Sequence, residues 1–172
     1  QLKGWNYATH IFDVNVNIAP NTETGKLDVT ASTIDDAPVY YTLDGTEPTT
    51  ASSKYENGLT IDAACVLRMM AVRPEGNSLI TRDSIAFSKS TAKPITLLQP
   101  INKPYEFKGA TTLVDGMTGD RNYKTGRWIA FYKNDMEAVI DLKEATEISS
   151  MTLRTCVEKG DWTFDTRGIT VE

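Results

Sequence analysis

Residues 11–18 read Ile-Phe-Asp-Val-Asn-Val-Asn-Ile, and this alternation decides the fold class. A period of two places Phe12, Val14, Val16 and Ile18 on one face and polar side chains on the other. That is the pattern of a strand with one buried and one wet surface. The same reading extends outward along the first half of the chain. Lys26–Thr33 turns Leu27, Val29 and Ala31 inward, and Val39–Leu43, Leu59–Ile61, Cys65–Val72 and Leu79–Phe87 follow as further strands. Turn-forming residues separate them at Pro20-Asn21, Asp35-Asp36-Ala37-Pro38, Asp44-Gly45, Asn57-Gly58 and Pro74-Glu75-Gly76-Asn77. Roughly six or seven short strands at such spacing predict a β-sandwich of the immunoglobulin or fibronectin-III kind. No stretch carries the 3.6-residue periodicity and capping residues of an amphipathic helix.

Between Ser88 and Pro104 the composition changes. Pro94, Pro100 and Pro104 punctuate a Ser/Thr/Lys-containing segment around Ile95-Thr96-Leu97-Leu98, which favours an extended connector. The expected organisation is therefore residues 1–9 as the tail of a preceding domain, 10–88 as the sandwich, 89–104 as a linker and 105–172 as a second module. In that module Ala138–Leu142, Ile148–Val157 and Ile169–Val171 read as strands, joined by a loop-rich stretch from Asp115 to Asn134.

Charge narrows the partners. Eighteen Lys and Arg against 23 Asp and Glu leave a net charge of −5, which on average repels phosphate backbones and anionic lipids. Nucleic acid is not an expected partner, and the local basic clusters around Arg121, Lys124 and Arg127 read as solvated loops. No apolar run approaches the roughly 20 residues of a membrane span. Cys65 and Cys156 have neither metal-ligand spacing nor the density of a disulfide-stapled domain, and read as small buried hydrophobes.

The sequence carries no recognised catalytic pattern. The single histidine, His10, has no serine or cysteine motif around it. Asp35-Asp36 and Asp161 with Asp165 sit beside turn residues, and nearby carboxylates alone do not make a glycosidase site. Asp115-Gly-Met-Thr-Gly119 lacks the lysine and the strand-to-helix setting of a phosphate loop.

Two resemblances sharpen this reading. Tyr40-Tyr41-Thr42-Leu43-Asp44-Gly45-Thr46-Glu47-Pro48-Thr49 carries a strand into a tight turn and a proline bend. It resembles the signature of the fibronectin-type-III-like module that follows the catalytic barrel in chitobiases and β-N-acetylhexosaminidases of glycoside hydrolase family 20. That likeness covers about residues 5–90, and His10–Val16 is similar to the exit from the catalytic domain. It implies a secreted parent enzyme, periplasmic or extracellular, whose adjacent Asp-Glu catalytic pair lies elsewhere, since no Asp-Glu dipeptide occurs in this chain. The upstream catalytic domain is then an expected partner.

Gly109–Gly116, Gly126-Arg127-Trp128-Ile129-Ala130-Phe131 and Asp135–Leu142 resemble, in order and spacing, a discoidin (factor V/VIII type C) module. This implies a partial galactose-binding-like jelly roll, C-terminally truncated here, that binds carbohydrate such as an N-acetylhexosamine- or galactose-containing glycan. It also implies a structural calcium with Asp115, together with Asp120, among its oxygen ligands. The loops gather Asn122, Tyr123, Arg127, Trp128 and Tyr132, and such residues suit sugars: aromatic faces stack on C–H-rich ring faces while Arg and Asn hydrogen-bond hydroxyls. Trp128 and Phe131 also fit core positions. Three readings stand open: a spacer with a carbohydrate-binding module, a purely architectural brace, and an enzyme with an unrecognised loop site.

Overall fold

A computed structural model describes residues 9–172. The stretch expected to be a preceding domain's tail therefore lies, apart from Thr9, outside the described residues. The molecule is all-β. Strands β1 (Asn15–Asn21), β2 (Lys26–Ser32), β3 (Val39–Thr42), β4 (Ser53–Tyr55), β5 (Leu59–Ile61), β6 (Cys65–Ala71) and β7 (Thr81–Ile85) form two antiparallel sheets, ordered β1-β2-β5 and β4-β3-β6-β7. This is the predicted sandwich.

Alternation explains the core. Leu27 and Val29 from one sheet meet Leu67 and Met69 from the other, all at most 1 % exposed, with Ile18, Ile61, Val39 and Ile85 around them. Full burial of one such side chain contributes roughly 1.5–3 kcal/mol. The sheets are also joined by a polar contact, since Ala31 N–H donates to the Tyr55 hydroxyl at 3.1 Å.

The opening stretch departs from expectation. Thr9–Phe12 forms a 3₁₀ turn, and the strand begins at Asn15 and runs through Pro20 to Asn21. Val14 and Ile18 are buried as the alternation requires, but Phe12 is 40 % exposed, with the Arg73 guanidinium 5.4 Å from its ring. Pro20 was expected in a turn. It pairs with Leu27 because β1 is an edge strand, where a missing N–H is tolerated. Strand β4 escaped the sequence reading because Ser-Lys-Tyr shows no apolar alternation.

At the signature 40–49 the structure is a turn wired by side chains. Asp44 Oδ1 accepts from Thr46 N–H at 3.0 Å and from Thr46 Oγ1 at 2.6 Å, while Thr42 Oγ1 donates to Thr46 O at 2.6 Å. Gly45 takes φ +81°, as the Asp-Gly pair foretold.

The second half is built differently. Ile95–Leu97, inside the expected connector, is strand β8 and pairs antiparallel with β9 (Ala138–Ile140). The strands expected at 148–157 and 169–171 do not form: among the described residues no ladder partner pairs with them. Strand propensity without a neighbouring edge has no backbone bonds to make. Side chains there stay open to solvent, including Ile148, Met151, Val157, Ile169 and Val171. Short 3₁₀ turns at Lys103–Tyr105, Gly109–Leu113, Tyr123–Thr125 and Lys159–Asp161 supply most of the remaining order.

Candidate functional site

The loop from Asp120 to Trp128 is wired by its own polar side chains. Asp120 Oδ1 accepts from Asn122 N–H at 2.9 Å, and Asn122 Oδ1 accepts from Lys124 N–H at 3.0 Å. Thr125 Oγ1 lies 3.1 Å from Asp120 Oδ1 and 3.0 Å from Asn122 O. These short-range bonds are those that Asn, Asp and Thr offer a turning backbone. Asn122 thus spends its carbonyl oxygen on the loop, and its amide nitrogen is the part left to a ligand.

The other sequence-predicted residues divide in two. Arg127 turns toward the sandwich, its Nη2 2.5 Å from Asp83 Oδ1. Trp128 lies half-buried against Gly119, where an added Cβ would stand 2.2 Å from the indole, and its Nε1–H donates to Asp120 O at 2.9 Å. Both are committed to internal contacts. Tyr123 is half-buried and Tyr132 faces outward. Tyr132 is 66 % exposed, with Lys133 Nζ 5.2 Å from its ring centre.

Around Tyr123 the structure assembles aromatic surface that the sequence reading missed. The Tyr105 ring stands 5.8 Å from that of Tyr123 at a 59° tilt, and Phe107 continues the series 6.4 Å beyond Tyr105. The Tyr123 hydroxyl donates to Asp161 Oδ2 at 2.5 Å, and the bond to that carboxylate pushes the phenol's pKa up. Next to Asp161, Trp162 is 83 % exposed and meets Phe164 edge-on at 6.4 Å. Phe107 and Trp162 take φ +37° and +59°, a conformation that costs a non-glycine residue about 1–3 kcal/mol. The legible signal was an aromatic residue set among turn formers, as in Gly160-Asp161-Trp162 and Pro104-Tyr105.

The calcium expectation meets a poor donor set. Asp115 is 4 % exposed, accepts from Met117 N–H at 2.8 Å through Oδ1, and has its pKa raised by desolvation. Asp120 holds the loop described above. Among the described residues no group of three His, Cys, Asp or Glu side chains is gathered to hold a metal. These residues do not fit a carboxylate-built cation site.

Nor, among the described residues, do acids converge in a depression. A surface depression of about 420 Å³ holds His10 and Asp13, bonded through Nδ1 and Oδ2 at 2.8 Å, with no second carboxylate among the described residues on its wall. Another, of about 480 Å³, carries Asp44 as its one acid. Cys65 lines that depression half-buried, its thiol pushed up by desolvation; Cys156 is likewise half-buried, and both are free. Among the described residues no helix is long and apolar enough to cross a membrane.

No curated protein matches the chain. Residues 18–82 match the family model described as the chitobiase/beta-hexosaminidase C-terminal domain, a span running from within β1 into β7, so the sandwich is similar to that accessory domain.

Proposed function

We propose that this chain is a non-catalytic accessory region of a chitobiase or β-N-acetylhexosaminidase of glycoside hydrolase family 20, exported to the periplasm or cell exterior. In it the sandwich acts as a spacer and the second half as a discoidin-like carbohydrate-binding module. The observation that carries the reading is the Tyr105–Tyr123 aromatic pair flanked by Asn122, Lys124 and Asp161. Aromatic faces with adjacent donors and acceptors are the surface a sugar ring requires. Holding a glycan beside a tethered catalytic domain raises its effective concentration without new chemistry.

The test is titration of the chain with N-acetylglucosamine and galactose oligosaccharides, followed by NMR or calorimetry. Shifts confined to residues around Tyr105, Tyr123 and Trp162 are expected. Absence of any change at millimolar sugar overturns the carbohydrate reading. A chromogenic hexosaminide should show no turnover.

A second reading has its own support. Arg127 and Trp128, two of the five expected sugar contacts, serve internal packing, which favours an architectural brace for the catalytic domain or for surface attachment. Against it, Tyr123, Trp128 and Tyr132 are not all buried, as a brace without a ligand would predict. The same titration separates the two.

A further inference from the structure

Asp83 occupies an unusual place. It lies on β7, one of the two edge strands of the four-stranded sheet, between inward-facing Thr81 and Ile85, and its side chain is 6 % exposed. A carboxylate buried there without a partner is strongly destabilising. Its partner comes from the second half of the chain, where Arg127 Nη2 approaches Oδ1 to 2.5 Å.

The contacts beside this pair continue the sheet. Ala86 N–H donates to Gly116 O at 2.9 Å, and Ile85 and Met117 form an antiparallel bridge, so residues 116–117 cover the open edge of β7. Ala92 N–H donates to Val114 O at 2.8 Å, with Ala92, Thr91 and Val114 all at most 3 % exposed. Gly116 takes φ +69°, and a Cβ there would stand 2.5 Å from Ala86 O, so only glycine allows this approach. Lys108 reaches the other sheet, donating to Ile18 O in β1 at 3.0 Å. An edge strand with an inward charge and free backbone groups is a surface that needs covering.

We propose that Arg127 is a positioning residue, not a sugar contact. With Asp83 it clasps the second half to the sandwich, so that the two move as one body and the loop 120–128 is carried in a fixed orientation. The mechanical claim stands on the contacts above; its consequence for glycan presentation rests on the carbohydrate reading. The sandwich is then a stiff strut, and the segment 89–104 is not a hinge.

Amide hydrogen exchange of the full chain, read residue by residue without sugar, tests the clasp. In Arg127→Ala the amides of Ala86 and Ala92 should exchange at least about tenfold faster while those of β6 keep their protection. The double charge reversal Asp83→Arg/Arg127→Asp, which keeps an ion pair at the same place, should restore protection at Ala86 and Ala92. Unchanged exchange at these two amides in Arg127→Ala overturns the proposal. If Arg127→Ala also exposes β6, the double variant decides: recovery supports the clasp, and continued loss overturns it. Because no ligand is present, failure here is distinct from failure of the sugar titration.

Discussion

Arg73 grips both carboxylate oxygens of Asp35, with Nε to Oδ2 at 2.6 Å and Nη2 to Oδ1 at 2.7 Å. The pair joins the Asp35–Pro38 turn to the end of β6, and the same guanidinium sits over the Phe12 ring. Bidentate geometry of this kind is the strong form of a charged hydrogen bond. It holds the Asp35 carboxyl at a pKa of about 2 instead of 3.8. A depressed carboxylate pKa means that the folded state resists protonation. The stabilisation is complete above pH 3.8 and is lost as pH falls toward 2. Urea denaturation at several pH values should show the wild type losing more stability across that interval than Asp35→Asn. Parallel curves for the two proteins would remove this pair from the acid response.

The core between the sheets has little room to adjust. Leu67 is 1 % exposed and packs where Leu27, Val29 and Met69 converge. Leu67→Ala should cost about 2–5 kcal/mol, the transfer loss plus the cavity left behind. A lowered denaturation midpoint at constant slope is the expected signature. A loss under 1 kcal/mol would mean that the sheets collapse onto the gap.

Two glycines with the same φ should respond differently to alanine. Gly25, at φ +69°, has open space around its missing Cβ, so Gly25→Ala should incur the backbone strain alone, about 1 kcal/mol. Gly116→Ala meets the Ala86 carbonyl at 2.5 Å as well, and should be the more destabilising of the two in thermal denaturation. Equal effects would show that the approach of residue 116 to β7 relaxes freely.

For the aromatic surface, Tyr123→Phe and Tyr123→Ala separate ring from hydroxyl. The hydroxyl is engaged by Asp161, so Tyr123→Phe should keep most saccharide affinity, while Tyr123→Ala should lose about 0.5–1.5 kcal/mol. That loss corresponds to roughly two- to twelvefold in Kd by calorimetry. Trp162→Ala should weaken binding similarly. If neither ring matters, the sugar does not sit on this surface.

The first half was legible because its chemistry is local. Alternation at Leu27-Asp28-Val29 and around Leu67 and Met69 names the buried faces before any partner is known, and Asp44-Gly45 carries the turn that its dihedrals demand. The exceptions are instructive. Phe12 continues the period yet sits in a 3₁₀ turn with its ring against Arg73, while Ser53–Tyr55 pairs through backbone groups that side-chain pattern cannot report. Apolar alternation at 148–157 specified a willingness to pair, and pairing requires an edge that these residues do not meet.

Side-chain identity alone determined an all-β chain, and it named the loop near residue 123 as a candidate sugar contact. Only the tertiary structure decided which members of that loop face outward. Arg127 and Trp128 have the composition of ligands yet are drawn inward, one by a buried carboxylate 44 residues earlier and the other by the bare backbone of Gly119. Tyr105 and Asp161, 18 and 38 residues away in sequence, are brought to Tyr123 by the fold. Chain entropy leaves such long-range neighbours undetermined until the core is closed, because contacts of this kind follow from packing and not from local periodicity.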